Sequence, residues 1–341
     1  MKAIEISAAN EIRLSQRPEP AMQPGHVRLA IARIGYCGSD LNTFRGLNPL
    51  VEYPRVPGHE IAARVVEVAP DVPPDIRVGM DVTVLPYTAC GQCSSCRWGR
   101  ANACRNNQTL GVQRDGALTE SIVIPWGNVV LAPGLSRAEL ALVEPLSVGF
   151  HAVARGGVEA GQTVVVLGSG MIGLGAIAGA GLGRGARVIA VDVDDAKLAL
   201  ARSAGAAEVI NSRREDLAAR VADLTQGLGP QVIIEAVGAV ETFNAAVDLA
   251  AFAGRVIYIG YAKAPVTYQT KHFILKELDI RGSRNATRED FDRVIAMLQS
   301  RRYPVAATVT ATVPFDDAPG AMVDWARDPA RVTKIHVLLD R

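Results

Sequence analysis

The sequence predicts an α/β protein in two parts: a mostly β domain made by residues 1–148 with 285–341, and a doubly wound parallel sheet of six strands over 149–284. Three observations carry that reading. At 341 residues the chain exceeds what one hydrophobic core usually organises. Its first part breaks short apolar runs with turn clusters, and its second alternates β-branched runs with helical patterns.

In the first part the turn clusters are Pro18-Glu19-Pro20, Gln23-Pro24-Gly25, Val72-Pro73-Pro74, Val78-Gly79 and Ala132-Pro133-Gly134. The strands of the second part are TVVVLGSG, RVIAVDV, AEVINS, QVIIEAVG, GRVIYIGY and LDIRGS. Between them DDAKLALARSAGA and EDLAARVADLTQG read as helices, with Leu217, Val221 and Leu224 sharing one face of the second. Strands joined through helices pair in parallel. After Ser283 a helix, EDFDRVIAMLQS, and a terminal strand, KIHVLL, return the chain to the first domain.

Lys and Arg number 36 against 35 Asp and Glu, a formal charge of +1 spread without long blocks. That argues against a nucleic-acid footprint or a polybasic membrane anchor and leaves small molecules as partners. The N-terminus, Met1-Lys2-Ala3-Ile4-Glu5-Ile6, alternates like a strand and shows no secretory signal, so a cytoplasmic setting is expected. Thr163 to Gly183 carries no charge and is long enough for a membrane span, but seven of its residues are glycine. A β-run entering a Gly-rich turn explains it better.

That turn is the first chemical signal. Gly168, Gly170 and Gly173 stand in G-x-G-x-x-G spacing, with Met171 and Ile172 inside it, directly after a strand and at the start of a helix. The first glycine allows the tight turn, the second lets backbone approach a pyrophosphate, and the third lets helix pack on strand. The phosphates then meet free N–H groups at the positive helix end. Asp192 ends the next strand, 19 residues beyond Gly173, where its carboxylate can accept ribose hydroxyls and repel a 2′-phosphate. The expected cofactor is NAD. The bare alternative is a tight turn with a capping aspartate.

Four of the five cysteines, Cys90, Cys93, Cys96 and Cys104, follow C-x2-C-x2-C-x7-C, with Gly91 and Gly99 supplying bends. Four thiolates and no open position suit structural zinc. A four-iron cluster is the nearest competitor, but seven residues precede the last cysteine and Arg105 follows it, unlike the ferredoxin run.

The fifth cysteine lies in GYCGSD, followed by YPRVPGHE with His59 and Glu60 and later by VEPLSVGFHA with Glu144. Read alone, a cysteine and a histidine so placed are more often a buried thiol and a satisfied core histidine. Taken together, these motifs, the four-cysteine lobe and the nucleotide fingerprint stand in the order seen in zinc-dependent medium-chain dehydrogenases/reductases, which the chain resembles from end to end. The closer likeness is to the sorbitol-like polyol branch and to bacterial L-galactonate oxidoreductases, through YPRVPGHE, GVQRDGALTE and GSRNATREDF.

The resemblance implies a GroES-like catalytic domain bearing a structural zinc lobe at about 88–106, beside a Rossmann NAD-binding domain. It implies two zinc ions per subunit. Cys37, His59 and Glu144 match the protein ligands of the catalytic ion, with one position open, and Glu60 matches the nearby carboxylate that exchanges with water. Ser39 matches the hydroxyl that passes the substrate proton outward. Asn42 departs from a common histidine, and because an amide cannot carry a proton, water or another group must finish the relay, or turnover is slower. Lys334 falls where a basic residue approaches the cofactor pyrophosphate. Arg284 and Asn285 fall at the substrate, where a guanidinium could pair with an aldonate carboxylate or hold a polyol hydroxyl. The activity implied is hydride transfer from a secondary hydroxyl of a polyol or aldonate to NAD, in a homodimer or homotetramer joined through the sixth strand. Threonine or 2,3-butanediol oxidation, a zinc-free quinone or enoyl reductase, and a non-catalytic NAD- and zinc-binding sensor are the competing readings.

Overall fold

The structure, a computed structural model, describes residues 1–339. The chain divides into two compact units, Met1–Glu144 together with the chain from Thr308 onward, and Pro145–Ala307.

The first unit is built on a seven-stranded sheet. Its order is Ala311–Pro314, Ile335–Leu338, His26–Tyr36, Glu60–Val68, Asp81–Val84 and Val129–Leu131, with Ser121–Pro125 pairing on His26–Tyr36 off that path. His26–Tyr36 is the organising strand because it pairs with three others. Its register against Glu60–Val68 shifts between Arg28 and Leu29 and again between Ile31 and Arg33. Such bulges bend a strand and raise its twist, which lets one long strand serve several partners. The core beneath it gathers Ile4, Ile6, Leu29, Ile34, Ile61, Val65 and Leu118, all fully buried, with Ile335 and Val337 from the returning chain. The terminal strand therefore completes the sheet of this unit.

The second unit is a six-stranded parallel sheet in the order Glu208–Asn211, Arg187–Asp192, Thr163–Leu167, Val232–Glu235, Arg255–Tyr258, Asp279–Gly282. In chain order that is 3-2-1-4-5-6, the Rossmann arrangement. Strands such as TVVVL and VIIE carry unbroken apolar runs, as a parallel sheet buried on both faces requires. All six strands lie where the sequence places them.

One difference concerns where the chain leaves this unit. The sequence reading ends it at residue 284, whereas the second unit continues to Ala307 and includes the helix Arg288–Gln299. That helix buries Phe291, Val294 and Leu298, and its Asp290 accepts a 2.7 Å hydrogen bond from His151 Nδ1. A buried contact across 139 residues of sequence leaves no local pattern.

The uncharged run Thr163 to Gly183 is a strand, the helix Met171–Ala178 and a π-helical turn, Gly179–Gly183. Its glycines permit close approach between backbones: a Cβ on Gly175 would meet Leu146 O at 2.6 Å, and one on Gly149 would meet Ala176 N at 2.2 Å. Among the described residues no helix is long and apolar enough to cross a membrane.

Candidate functional site

Cys37 follows the strand His26–Tyr36 and caps the helix Gly38–Phe44, its N–H donating to Asp40 Oδ2 at 2.9 Å. His59 follows Gly58 at the mouth of the next strand, Glu60–Val68. Antiparallel pairing sets Gly35 opposite Glu60, so Cys37 and His59 emerge side by side from neighbouring strands. One ligand atom from each of Cys37, His59 and Glu60 lies within 4.8 Å of the others. His59 Nδ1 is buried and makes no hydrogen bond.

The charge around this group is negative. Burial opposes a charged His59, yet Cys37, Asp40 and Glu144 together raise its pKa well above the ordinary value. Burial likewise pushes the fully buried Asp40 up, against the pull of His59 and the backbone bonds from Cys37 and Gly58. A soft thiol, an imidazole and carboxylates converging with excess negative charge form a donor set that fits zinc.

Glu144, from the helix Arg137–Arg155, is buried and turns its carboxylate to accept from the Tyr87 hydroxyl. It is near enough to act electrostatically on both His59 and Glu60. Ser39 occupies the first turn after Cys37, and its Oγ is buried without a hydrogen-bond partner. Asn42 lies on the same helix, half-buried.

Lys334 requires a correction. Expected at the cofactor pyrophosphate, it is 2 % exposed, and Nζ donates to Glu60 Oε1 and Oε2, both at 2.6 Å, and to Tyr36 O at 2.9 Å. An ammonium has three protons, and all three are committed. Burial still pushes Glu60 up to about 7, with Lys334 as the largest opposing influence. Gly35 completes the cradle: a Cβ there would lie 2.0 Å from Glu60 Oε2. Sequence reasoning missed Gly35 and Tyr87 and assigned no role to Asp40. For Asp40 the signal was its place in GYCGSD; for Tyr87, 57 residues from Glu144, no spacing signal exists.

The other four cysteines form a second group within 4.8 Å, and all are free thiols. Cys93 Sγ lies 3.4 Å from Cys96 Sγ and 3.9 Å from Cys104 Sγ. Backbone N–H groups of Cys90 and Asn106 donate to Cys104 Sγ, each at 3.3 Å. The Ser95 hydroxyl and the backbone of Arg105 and Cys96 pull Cys93 down to about 5, while burial and the neighbouring thiols push Cys96 up to about 11. N–H donors aimed at sulfur and four thiols gathered within 4.8 Å of one another fit a closed zinc site. Cys93→Ser is expected to lower the melting temperature by several degrees and remove one zinc per chain, while activity per folded molecule stays near wild type; scanning calorimetry with metal analysis checks it.

The nucleotide fingerprint is positioned by the sheet. Gly168, at the end of Thr163–Leu167, has φ +95, and a Cβ on Gly173 would meet Gly168 O at 1.9 Å, so helix and turn approach as closely as backbone allows. Gly170 caps the helix Met171–Ala178 and faces open space, with no atom within 4 Å of its missing Cβ. A phosphate can reach the helix end there. Asp192 sits beside the turn, its Oδ2 accepting from Ser169 N at 2.8 Å and its Oδ1 from Val193 N at 2.7 Å. These residues fit a dinucleotide. Arg284 and Asn285 follow the edge strand Asp279–Gly282 at the carboxyl end of the sheet; Arg284 is exposed and Asn285 has φ +53, a left-handed conformation asparagine tolerates.

Comparison with known proteins identifies the family. The alcohol dehydrogenase GroES-like domain family matches residues 23–134, and the zinc-binding dehydrogenase family matches residues 172–300. An uncharacterized zinc-type alcohol dehydrogenase-like protein of Haemophilus influenzae is 34 % identical over 99 % of this chain and 98 % of its own length. L-galactonate-5-dehydrogenase of Escherichia coli is 32 % identical over 92 % of each chain. Among solved structures, the alcohol dehydrogenase RspB of Escherichia coli CFT073, complexed with NADH, superposes with a TM-score of 0.92 over 99 % of both chains at 30 % identity.

Proposed function

The chain belongs to the zinc-type alcohol dehydrogenase family, and from that premise we propose that it oxidises a secondary hydroxyl of a sugar acid, an aldonate such as L-galactonate, or of a polyol, to the ketone. The observation that carries this reading is the convergence of Cys37, His59 and Glu60 beside the buried, unpartnered Ser39 hydroxyl. A binding protein has no use for that hydroxyl, whereas a dehydrogenase must move a proton at that point.

Cys37, His59 and Glu144 would hold the catalytic zinc, with Glu60 beside it. When bound, zinc supplies Lewis acidity that favours loss of a hydroxyl proton, and NAD supplies the hydride acceptor. Ser39 Oγ receives and passes on that proton. Asn42 cannot continue the relay, so water takes the next step. Tyr87 keeps the Glu144 carboxylate oriented, and Lys334 with Gly35 keeps Glu60 in place. The net change is secondary alcohol plus NAD⁺ to ketone, NADH and a proton.

The aldonate preference rests on Arg284, a cation at the strand end able to take a carboxylate bidentately, and on the similarity to a protein named as an L-galactonate dehydrogenase. Assembly as a homodimer, or a tetramer of dimers, is supported by the open edge strand Asp279–Gly282, with Ile280 39 % exposed and Ile274 and Leu275 exposed nearby in sequence. The test is NADH formation by zinc-replete protein against aldonates, hexitols, pentitols, threonine and simple diols. One dominant aldonate or polyol supports the reading; dominance of threonine or a diol overturns the substrate class, and silence with intact NAD binding overturns the activity.

Asp192 sets the choice of cofactor, since its carboxylate would face a 2′-phosphate with like charge. Asp192→Ser is expected to lower kcat/KM for NAD by about tenfold and raise that for NADP, measured with both cofactors on one substrate.

A further inference from the structure

A cavity of about 330 Å³ opens on the second unit: its lining comes from the helix Arg137–Arg155, the π-helical turn with Arg184 after it, and the helix Arg288–Gln299 with Ser300 and Arg302 after it. Its volume is at the lower end of small-molecule sites. Phe150, Val153, Leu182 and Met297 give it apolar walls, and Gly179 and Gly183 leave room against the Phe150 ring.

Arg184, Arg293 and Arg302 also line it. Arg293 Nη1 donates to Asp290 Oδ1 at 3.0 Å, and Asp290 also takes His151 Nδ1 and Thr287 Oγ1, so that carboxylate is spent. Arg302 bonds only neutral oxygens, Leu182 O at 2.9 Å and Ser300 Oγ at 3.4 Å. The Arg184 side chain makes no hydrogen bond or ion pair among the described residues. Among the described residues no carboxylate lines the cavity. With Arg293 paired to Asp290, Arg184 and Arg302 remain as two guanidinium groups without a counter-charge beside one small cavity, a local concentration of like charge that an anion would relieve.

We propose that this cavity binds a compact, multiply charged organic anion, a phosphate ester or a polycarboxylate, with Arg184 and Arg302 on its charged groups and its carbon body on the Phe150 and Met297 side chains. A guanidinium offers paired N–H donors matched to either head group. Such an anion is distinct from the dinucleotide, whose phosphates would sit on the glycine turn.

The test is calorimetric titration of NADH-saturated, zinc-replete protein, so that the glycine turn is filled, with glycerol 3-phosphate and with citrate in separate arms and sodium chloride at matched ionic strength as reference. The comparison is an Arg184→Ala/Arg302→Ala variant, which touches neither the proposed zinc ligands nor the glycine turn, with Arg184→Lys/Arg302→Lys to keep charge without the fork. Saturable binding by wild type in either arm, weakened about tenfold or more in the alanine variant and partly restored by lysine, bears the site out, and the responding arm identifies the head group. Equal binding by wild type and alanine variant overturns it. So does a response that sodium chloride reproduces, or no binding in either arm.

Discussion

Cys37→Ser is expected to reduce kcat/KM by about a thousandfold or more, because a serine hydroxyl is a poor substitute for a thiolate ligand and the lost Lewis acidity corresponds to several kcal/mol of transition-state stabilisation. The expectation follows from the position of Cys37, within 4.8 Å of His59 and Glu60 in one group and in separate sequence from the four-cysteine lobe. Zinc content should therefore fall from about two to about one per chain while the lobe keeps its ion. Metal analysis and NADH formation on the same preparation check both statements. Loss of activity with both ions retained would place Cys37 elsewhere in the chemistry, and full activity would remove the proposed ligand set altogether.

The second large effect concerns stability. Lys334→Met is expected to cost about 3–5 kcal/mol, since the fully buried Glu60 then either stays ionised without its counter-charge or must take up a proton, and in both states loses the Lys334 hydrogen bonds. Glu60→Gln in the same chain should recover most of that loss, because the remaining amide carries no charge. Denaturant unfolding of the two single variants and the double variant gives the coupling directly. Additive losses would show that the pair is incidental. The pH dependence has a defined sign in the zinc-stripped protein. Glu60 is raised from its ordinary 4.5 to about 7 in the folded state, so the contribution of its protonated form is fully present below about 4.5 and is lost as pH rises through about 7. Removing Lys334 takes away the strongest pull toward ionisation and moves that loss to higher pH.

What could be read in the sequence was what is local in the chain. The glycine fingerprint lies within six residues, and the cysteine lobe within fifteen, so their spacing alone reports their geometry. The six parallel strands announce themselves because burial on both faces demands unbroken β-branched runs. Cys37, His59, Glu60 and Glu144 were legible only as an ordered set of motifs. The role of Lys334 was not legible, because its partner Glu60 is 274 residues away and a lysine near the terminal strand suits an external phosphate equally well. Tyr87 and Gly35 were invisible for the same reason: each acts through a carboxylate that the fold, not the sequence, brings to it. The helix Arg288–Gln299 was placed with the wrong unit because its amphipathic face says only that it is covered, not by what.

The first unit is interrupted in chain order by the second, and its sheet is finished by Ala311–Pro314 and Ile335–Leu338. On a ribosome, the Arg33–Tyr36 end of the strand His26–Tyr36 therefore emerges without its Ile335–Leu338 partner and waits while Pro145–Ala307 is made. At about 5–20 residues per second that wait is about 10–30 s. Throughout it Glu60 has no ammonium beside it and the core lacks Ile335 and Val337. The nascent chain thus exposes a sticky strand edge during the interval in which the nucleotide sheet folds, and the metal cradle becomes whole only after the last strand arrives.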